Sequence, residues 1–179
     1  MSWKTDRTWT LFLDRDGVIN ERLIGDYVKS TGEFKLIDGV AEAIRLASAV
    51  FGRIVVVTNQ QGIGKGLMTE RNLSDIHAYC LRMITEQGGR IDGFYFAPSL
   101  AAEGSLLRKP ATGMGLQAKA EFPEIDFSRS VMIGDSVSDM EFGKNLGMKT
   151  VFIPTGTTTY EKADLKSASL LEAIKYITA

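Results

Sequence analysis

Thr8-Trp9-Thr10-Leu11-Phe12-Leu13-Asp14-Arg15-Asp16-Gly17 sets the architecture of this chain. An apolar run breaks off into two carboxylates and a glycine, so a buried strand empties into a tight acidic loop. The pattern recurs downstream. Arg53–Val57 runs into Thr58-Asn59, and Ser130–Ile133 runs into Gly134-Asp135-Ser136-Val137-Ser138-Asp139. Thr8–Leu13, Arg53–Val57, Gly93–Ala97, Ser130–Ile133 and Thr150–Ile153 all read as strands. They are apolar nearly throughout rather than alternating, the pattern of a parallel sheet covered on both faces.

Helical periodicity fills the intervals. Val40, Ala43, Ile44 and Ala47 keep 3/4 spacing after Asp38-Gly39, as do Leu73, Ile76, Cys80, Met83 and Gln87 after Thr69. Further helices are predicted over Thr112–Glu121, over Val137–Leu146 with Gly147 as its left-handed stop, and over Leu170–Ile177. The βαβα order predicts an α/β fold with a single Rossmann-like, doubly wound parallel sheet, and one domain over residues 1–179. Such sheets bind ligands at the carboxyl ends of their strands. Asp14, Thr58 and Asp135 each close a strand and should converge there, with Lys109 leading from the strand at 93–97. The intervals from Asp14 to Thr58 and from Thr58 to Lys109 are used up by core elements. They leave no room for a large cap domain, only for a small flap over residues 18–36. Residues 154–168 read as a polar connection without chemistry of their own.

Bulk properties narrow the function. The 179 residues are 44% hydrophobic and 24% charged, with a formal net charge of −1. No basic excess marks a nucleic-acid surface. No apolar run is long enough to span a bilayer, and the amino terminus lacks a signal-peptide core, so a cytoplasmic location is expected. A single cysteine, Cys80, permits neither an internal disulfide nor a cysteine-based metal site. Cys80 and His77 lie near the apolar face of one helix and read as an inert thiol and a core-edge histidine.

Carboxylates at strand ends can bind one hard cation and attack one electrophile. Asp-Gly is also a common turn after a strand, so the pair Asp14 and Asp16 gains weight only beside its partners. Lys109 offers a point charge for an anion, and Arg108 a planar fork for a second anionic or hydroxyl-rich group. The Thr58 hydroxyl and the backbone at Asn59 suit phosphate oxygens. Gly62-Ile63-Gly64-Lys65-Gly66 is neither a Walker loop nor a dinucleotide fingerprint. It reads as a flexible loop whose Lys65 borders the site. Asp139 fits a capping box opened by Ser136 as well as an outer place around a metal.

Asp14-x-Asp16-Gly17, strand-end Thr58, Lys109 and Gly134-Asp135-x-x-x-Asp139 resemble, in order, the four motifs of the haloacid dehalogenase-like phosphohydrolases. The fuller strings Phe12–Asn20, Thr58–Gly66 and Arg108-Lys109-Pro110 resemble the branch holding heptose-bisphosphate and histidinol phosphatases. The resemblance implies Asp14 as nucleophile, Asp16 as general acid and base with a pKa tuned towards working pH, and Thr58, Asn59, Arg108, Lys109 and Lys65 as substrate-binding residues. It implies Mg²⁺ on Asp14, Asp135 and the backbone carbonyl of Asp16. The expected partner is a small phosphorylated sugar or related metabolite, with no nucleic acid and no membrane; the oligomeric state stays open, a monomer being compatible. Many members of that branch carry a Cys/His zinc loop before the Arg-Lys pair. Residues 98–107 contain neither residue type, so that loop should be held by packing. A receiver-like module would not need Asp16, and a glycosyltransferase Asp-x-Asp would not account for Lys109 or the second acidic loop.

Overall fold

A computed structural model describes residues 3–179. Six strands are present: β1 (Thr10–Leu13), β2 (Arg53–Asn59), β3 (Gly93–Ala97), β4 (Ser130–Gly134), β5 (Lys149–Phe152) and β6 (Leu165–Lys166). They form one sheet in the order β3-β2-β1-β4-β5-β6, and every neighbouring pair is parallel. The helices are α1 (Val40–Val50), α2 (Gln61–Gly64), α3 (Glu70–Glu86), α4 (Gly113–Glu121), α5 (Val137–Asn145) and α6 (Leu170–Ile177).

The alternation of a strand's side chains sorts the core into two layers. Leu11, Leu13, Ile54, Val56, Val131 and Ile133 face a cluster completed by α1, α3 and α6. Phe12, Val55, Val57 and Met132 face the opposite cluster, where Met114 and Ala118 of α4 meet Phe142 of α5. The central strand β1 is buried at all four positions. This is the doubly wound α/β sheet read from the sequence, and among the described residues no second sheet stands over its carboxyl edge.

Boundaries moved where side chains compete for the backbone. β1 starts at Thr10 because Asp6 Oδ1 accepts from both the Thr8 amide, at 2.8 Å, and the Thr8 hydroxyl, at 2.6 Å. β2 runs on to Asn59, pairing Thr58 with Phe96 and Asn59 with Ala97. Gln61–Gly64, expected to be part of a flexible loop, closes into one helical turn. The connection after β5 contains the short edge strand β6, registered on Val151 and Phe152. Thr69 opens α3 and Ser136 opens α5, each in a reciprocal capping box.

Candidate active site

Asp14 follows β1 and is held in line with the sheet by its amide, which donates to the Ile133 carbonyl at 3.0 Å. Lys109 reaches it from across the carboxyl edge. Its ammonium stands 2.8 Å from Asp14 Oδ1, 2.6 Å from Asp139 Oδ1 and 2.7 Å from the Val57 carbonyl. Hydrogen bonds to Asp14 and the Val57 carbonyl take two of its three protons, and the Asp139 carboxylate adds an ion pair. Asn59 fixes the lysine's backbone: its Oδ1 accepts from the Lys109 amide at 2.9 Å and its Nδ2 donates to the Lys109 carbonyl at 3.2 Å. The Asn59 side chain is thus spent on setting Lys109, and only its backbone, the part read from the sequence as suited to phosphate, is left for an anion.

Asp139 takes the capping-box place read from the sequence. Its Oδ2 accepts from the amides of Asp135 and Ser136, each at 3.1 Å, and from Ser136 Oγ at 2.7 Å, while Oδ1 pairs with Lys109. Asp135 lies beside it, 2% exposed, with Oδ2 accepting from Thr155 Oγ1 at 2.9 Å and Arg22 Nη1 at 3.5 Å. Two glycines make this closeness possible. A Cβ on Gly17, which has φ +91°, would run into Asp135 Oδ2, and one on Gly134 would run into Asp139. Burial, then the Asp139 charge, push Asp14 well above the usual carboxylate range against the pull of Lys109. Burial and Asp139 likewise raise Asp135. Lys109 is raised despite its burial, because Asp139 and Asp14 hold its charge.

Asp16 turns away from this cluster. Its Oδ1 accepts from Arg15 Nη2 at 2.8 Å and Asn20 Nδ2 at 2.9 Å, and its Oδ2 from Gln60 Nε2 at 2.8 Å. Burial pushes Asp16 up, but the Arg15 charge and the three donors outweigh it, so its pKa lies below the ordinary value. The expectation of a pKa tuned upwards is thereby corrected: in this arrangement Asp16 is a carboxylate. Thr58 is placed differently from its reading too. It is 1% exposed, and its hydroxyl accepts from Gln60 Nε2 at 2.8 Å rather than facing the cleft. Four residues close to the chemistry went unassigned from the sequence: Arg15, Asn20, Gln60 and Thr155. Arg15, Asn20 and Gln60 stood inside the quoted motifs, whereas nothing local marked Thr155.

His77, on α3, is 8% exposed and lies behind Arg15. Burial, then the Arg15 charge, lower its pKa to about 3 from an ordinary 6.5, and Asp16 opposes them weakly. A folded value below the unfolded one leaves stability untouched above pH 6.5. Stability is then lost as pH falls towards 3, by on the order of 1 kcal/mol per pH unit from this group. His77→Gln should flatten that acid slope. Urea midpoints of both proteins at about pH 7 and about pH 5 check it; parallel slopes count against it.

The acids open into a cleft of about 380 Å³ whose walls carry Arg22, Tyr27, Lys65 and Arg108. Tyr27 belongs to the expected flap: its hydroxyl accepts from Gln61 Nε2 at 2.8 Å, and Lys65 Nζ sits 5.2 Å from its ring centre. Arg108 Nη1 is buried without a hydrogen-bond partner. The loop at 98–107 is held partly by packing, as expected, and partly by hydrogen bonds. Leu107 packs against the cluster of α4 and α5, whereas Leu106 is 80% exposed. The Gly64 amide donates to the Pro98 carbonyl at 2.9 Å, the Ala101 amide to Gln61 Oε1 at 3.3 Å, and the Gly113 amide to the Leu106 carbonyl at 2.9 Å. A Cβ at Gly64 would meet the Pro98 carbonyl at 2.7 Å, so this stitching needs the glycine.

The donor set suits a hard divalent cation. Carboxylate oxygens of Asp14, Asp135 and Asp139 lie within 4.8 Å of one another, and Asp135 Oδ1 is buried with no hydrogen-bond partner. An orphaned buried carboxylate oxygen is costly unless an ion or a proton meets it. Asp139 Oδ1 is likewise without a hydrogen bond, but the Lys109 ammonium faces it at 2.6 Å and its Oδ2 is taken by Asp135 and Ser136 donors, which leaves Asp14 and Asp135 as the side chains with most capacity to spare.

A parallel sheet that presents such acids and a buried lysine at its carboxyl edge is built to handle an anionic group. Comparison with known proteins specifies which. The family model described as "HAD-hyrolase-like" matches residues 106–175. D-glycero-alpha-D-manno-heptose-1,7-bisphosphate 7-phosphatase of Mycobacterium tuberculosis is 40% identical over 138 residues, covering 77% of this chain and 73% of the relative. The D-glycero-D-manno-heptose-1,7-bisphosphate 7-phosphatase of Chlorobaculum tepidum is 40% identical over 157 residues, covering 82% and 78%. The crystal structure of D,D-heptose 1.7-bisphosphate phosphatase from B. bronchiseptica, complexed with magnesium and phosphate, superposes with a TM-score of 0.85 at 26% identity, covering 93% of this chain and 96% of that one. The chain belongs to the haloacid dehalogenase-like hydrolases, and within them to the family of the heptose-1,7-bisphosphate 7-phosphatases. It is a phosphatase.

Proposed function

We propose that residues 1–179 act as one Mg²⁺-dependent phosphatase domain in the cytoplasm, removing the 7-phosphate of D-glycero-D-manno-heptose 1,7-bisphosphate through an aspartyl-phosphate on Asp14. The observation that carries this reading is the Asp14–Lys109 contact of 2.8 Å, made by two buried side chains. Lys109 takes one oxygen of the carboxylate and leaves the other to meet phosphorus.

Asp14 attacks phosphorus, and the bond from phosphorus to the sugar oxygen breaks. Asp16 gives that oxygen its proton. The negative charge of an incoming phosphate opposes the pull of Arg15, so protonation of Asp16 is tied to substrate arrival. Asp16 then takes a proton from water as the water attacks the acyl-phosphate, which releases phosphate and restores Asp14. Lys109 stays beside both states of Asp14 and offsets the charge gathering there. Asp14, Asp135 and the Asp16 backbone would hold Mg²⁺, which when bound lowers the repulsion between Asp14 and an anionic phosphate. Arg108, Lys65 and Arg22 face the remainder of the substrate, and an open cleft lets the sugar project outwards.

A phosphate-release panel tests this. Both anomers of the heptose bisphosphate should be turned over in Mg²⁺, at least about tenfold better in kcat/KM than histidinol phosphate, a difference of about 1.4 kcal/mol in transition-state binding. EDTA should stop turnover of all of them. Better use of histidinol phosphate refutes the substrate; full activity in EDTA refutes the metal.

A further inference from the structure

Arg15 is fully buried and is, among the described residues, the bulkiest to be so. A guanidinium cannot shed its charge, and burying it costs several kcal/mol unless partners meet it. Its partners are few and specific. Nη2 donates to Asp16 Oδ1 at 2.8 Å, Nη1 lies 3.4 Å from His77 Nε2, and Nε has no partner. For fold stability alone, an apolar residue of similar volume would serve at least as well. The guanidinium's one carboxylate contact is Asp16, the group assigned to move protons.

His77 is itself fixed. Its ring stacks on Phe94 of β3, with centroids 4.4 Å apart and planes 18° apart. A neutral ring with its proton on Nδ1 offers Nε2 as an acceptor to Arg15; burial and the Arg15 charge keep it neutral. The chain of contacts therefore runs from the edge strand through His77 and Arg15 to Asp16. Asn20 and Gln60 close on the same carboxylate from two further directions. Three donor side chains thus converge on one rotamer.

We propose that Arg15 is a positioning residue for Asp16, and that His77 positions Arg15 in turn, so that the pair aims the Asp16 carboxyl at the leaving oxygen. The inference rests on reading Asp16 as the proton donor to that oxygen. It has a consequence that a purely structural arginine does not. An alkyl leaving oxygen needs its proton as the bond breaks, whereas a nitrophenolate departs without one. Misaiming Asp16 must therefore penalise alkyl esters and spare aryl esters. The parameter to compare is kcat/KM, which covers events only as far as leaving-group departure and is blind to the later hydrolysis of the acyl-phosphate.

Heptose bisphosphate and p-nitrophenyl phosphate are compared as substrates of the full chain in Mg²⁺. Arg15→Met should lower kcat/KM about hundredfold for the sugar ester and less than about threefold for the aryl ester. His77→Phe keeps the stack on Phe94 but removes the acceptor. It should lose about tenfold on the sugar ester alone, and His77→Gln, which restores an acceptor, should return to within about twofold of wild type. Asp16→Ala is run beside them. If it discriminates between the esters while Arg15→Met and His77→Phe depress both equally, the positioning role is overturned and the acid stands. If Asp16→Ala treats the two esters alike, the acid assignment falls and the inference falls with it.

Discussion

Asp14→Asn should abolish phosphate release, with a loss of about 10⁴-fold or more, and leave the fold at least as stable as before. The amide has nearly the carboxylate's shape but cannot form the acyl-phosphate. The stability half of the result follows from electrostatics. Burial and the charges of Asp139 and Asp135 raise the Asp14 carboxyl above its unfolded value. Its ionised form therefore costs the folded state stability at neutral pH, and that cost shrinks once pH falls below the raised value and is gone only below the ordinary, unfolded carboxylate value. Lys109 keeps Asp139 at 2.6 Å and the Val57 carbonyl at 2.7 Å when the Asp14 charge is removed. Thermal midpoints at about pH 8 in EDTA should accordingly be unchanged or higher in the variant. Turnover near the wild-type rate sinks the nucleophile; a large drop in midpoint shows that the charge of Asp14 was structural.

Lys109→Met should do the reverse, damaging both function and fold. Methionine fills the space of the lysine stem but leaves three buried acids facing one another with only Arg22, 3.5 Å from Asp135, as a nearby cation. Breaking a buried ion pair by removing one partner costs about 3–5 kcal/mol. The penalty should shrink towards acid pH, because protonation of Asp14 and Asp135, both already raised, relieves the repulsion. Urea midpoints at about pH 5 and about pH 8 read this directly, and added Mg²⁺ should recover part of the loss at the higher pH. An equal destabilisation at both pH values would show lost packing, not lost charge. Phosphate release should fall about a thousandfold through the missing electrostatic stabilisation.

The strand ends were readable because burial on two faces demands uninterrupted apolar runs, and a run that stops at Asp or Thr declares the carboxyl edge. Asp14, Asp135 and Lys109 followed from that geometry and meet as expected. Arg15 did not follow. An arginine between two aspartates at a glycine turn reads as solvent-facing, and only the fold reveals that α3 closes over it. Thr155 approaches Asp135 from a connection with no periodicity, a long-range contact with no local pattern. The side-chain partners of Thr58 and Asn59 were not legible, because a strand's end fixes where a side chain starts and not which neighbour reaches it first. The two-residue β6 is too short to impose an alternation.

The main-chain stitching of residues 98–107 to the turn at Gln61–Gly64 has a consequence for the environments this phosphatase can tolerate. A loop clamped by a zinc–thiolate cluster would make such a pocket wall depend on redox state, since oxidised thiols release the metal. Here the wall depends on amides, which no oxidant or zinc chelator addresses. The sole thiol, Cys80, is fully buried, and burial pushes it up to about 12, so it offers almost no thiolate to peroxide. Peroxide should therefore leave the pocket wall in place, and a chelator should act on the chemistry at Asp14 and Asp135 while leaving that wall standing.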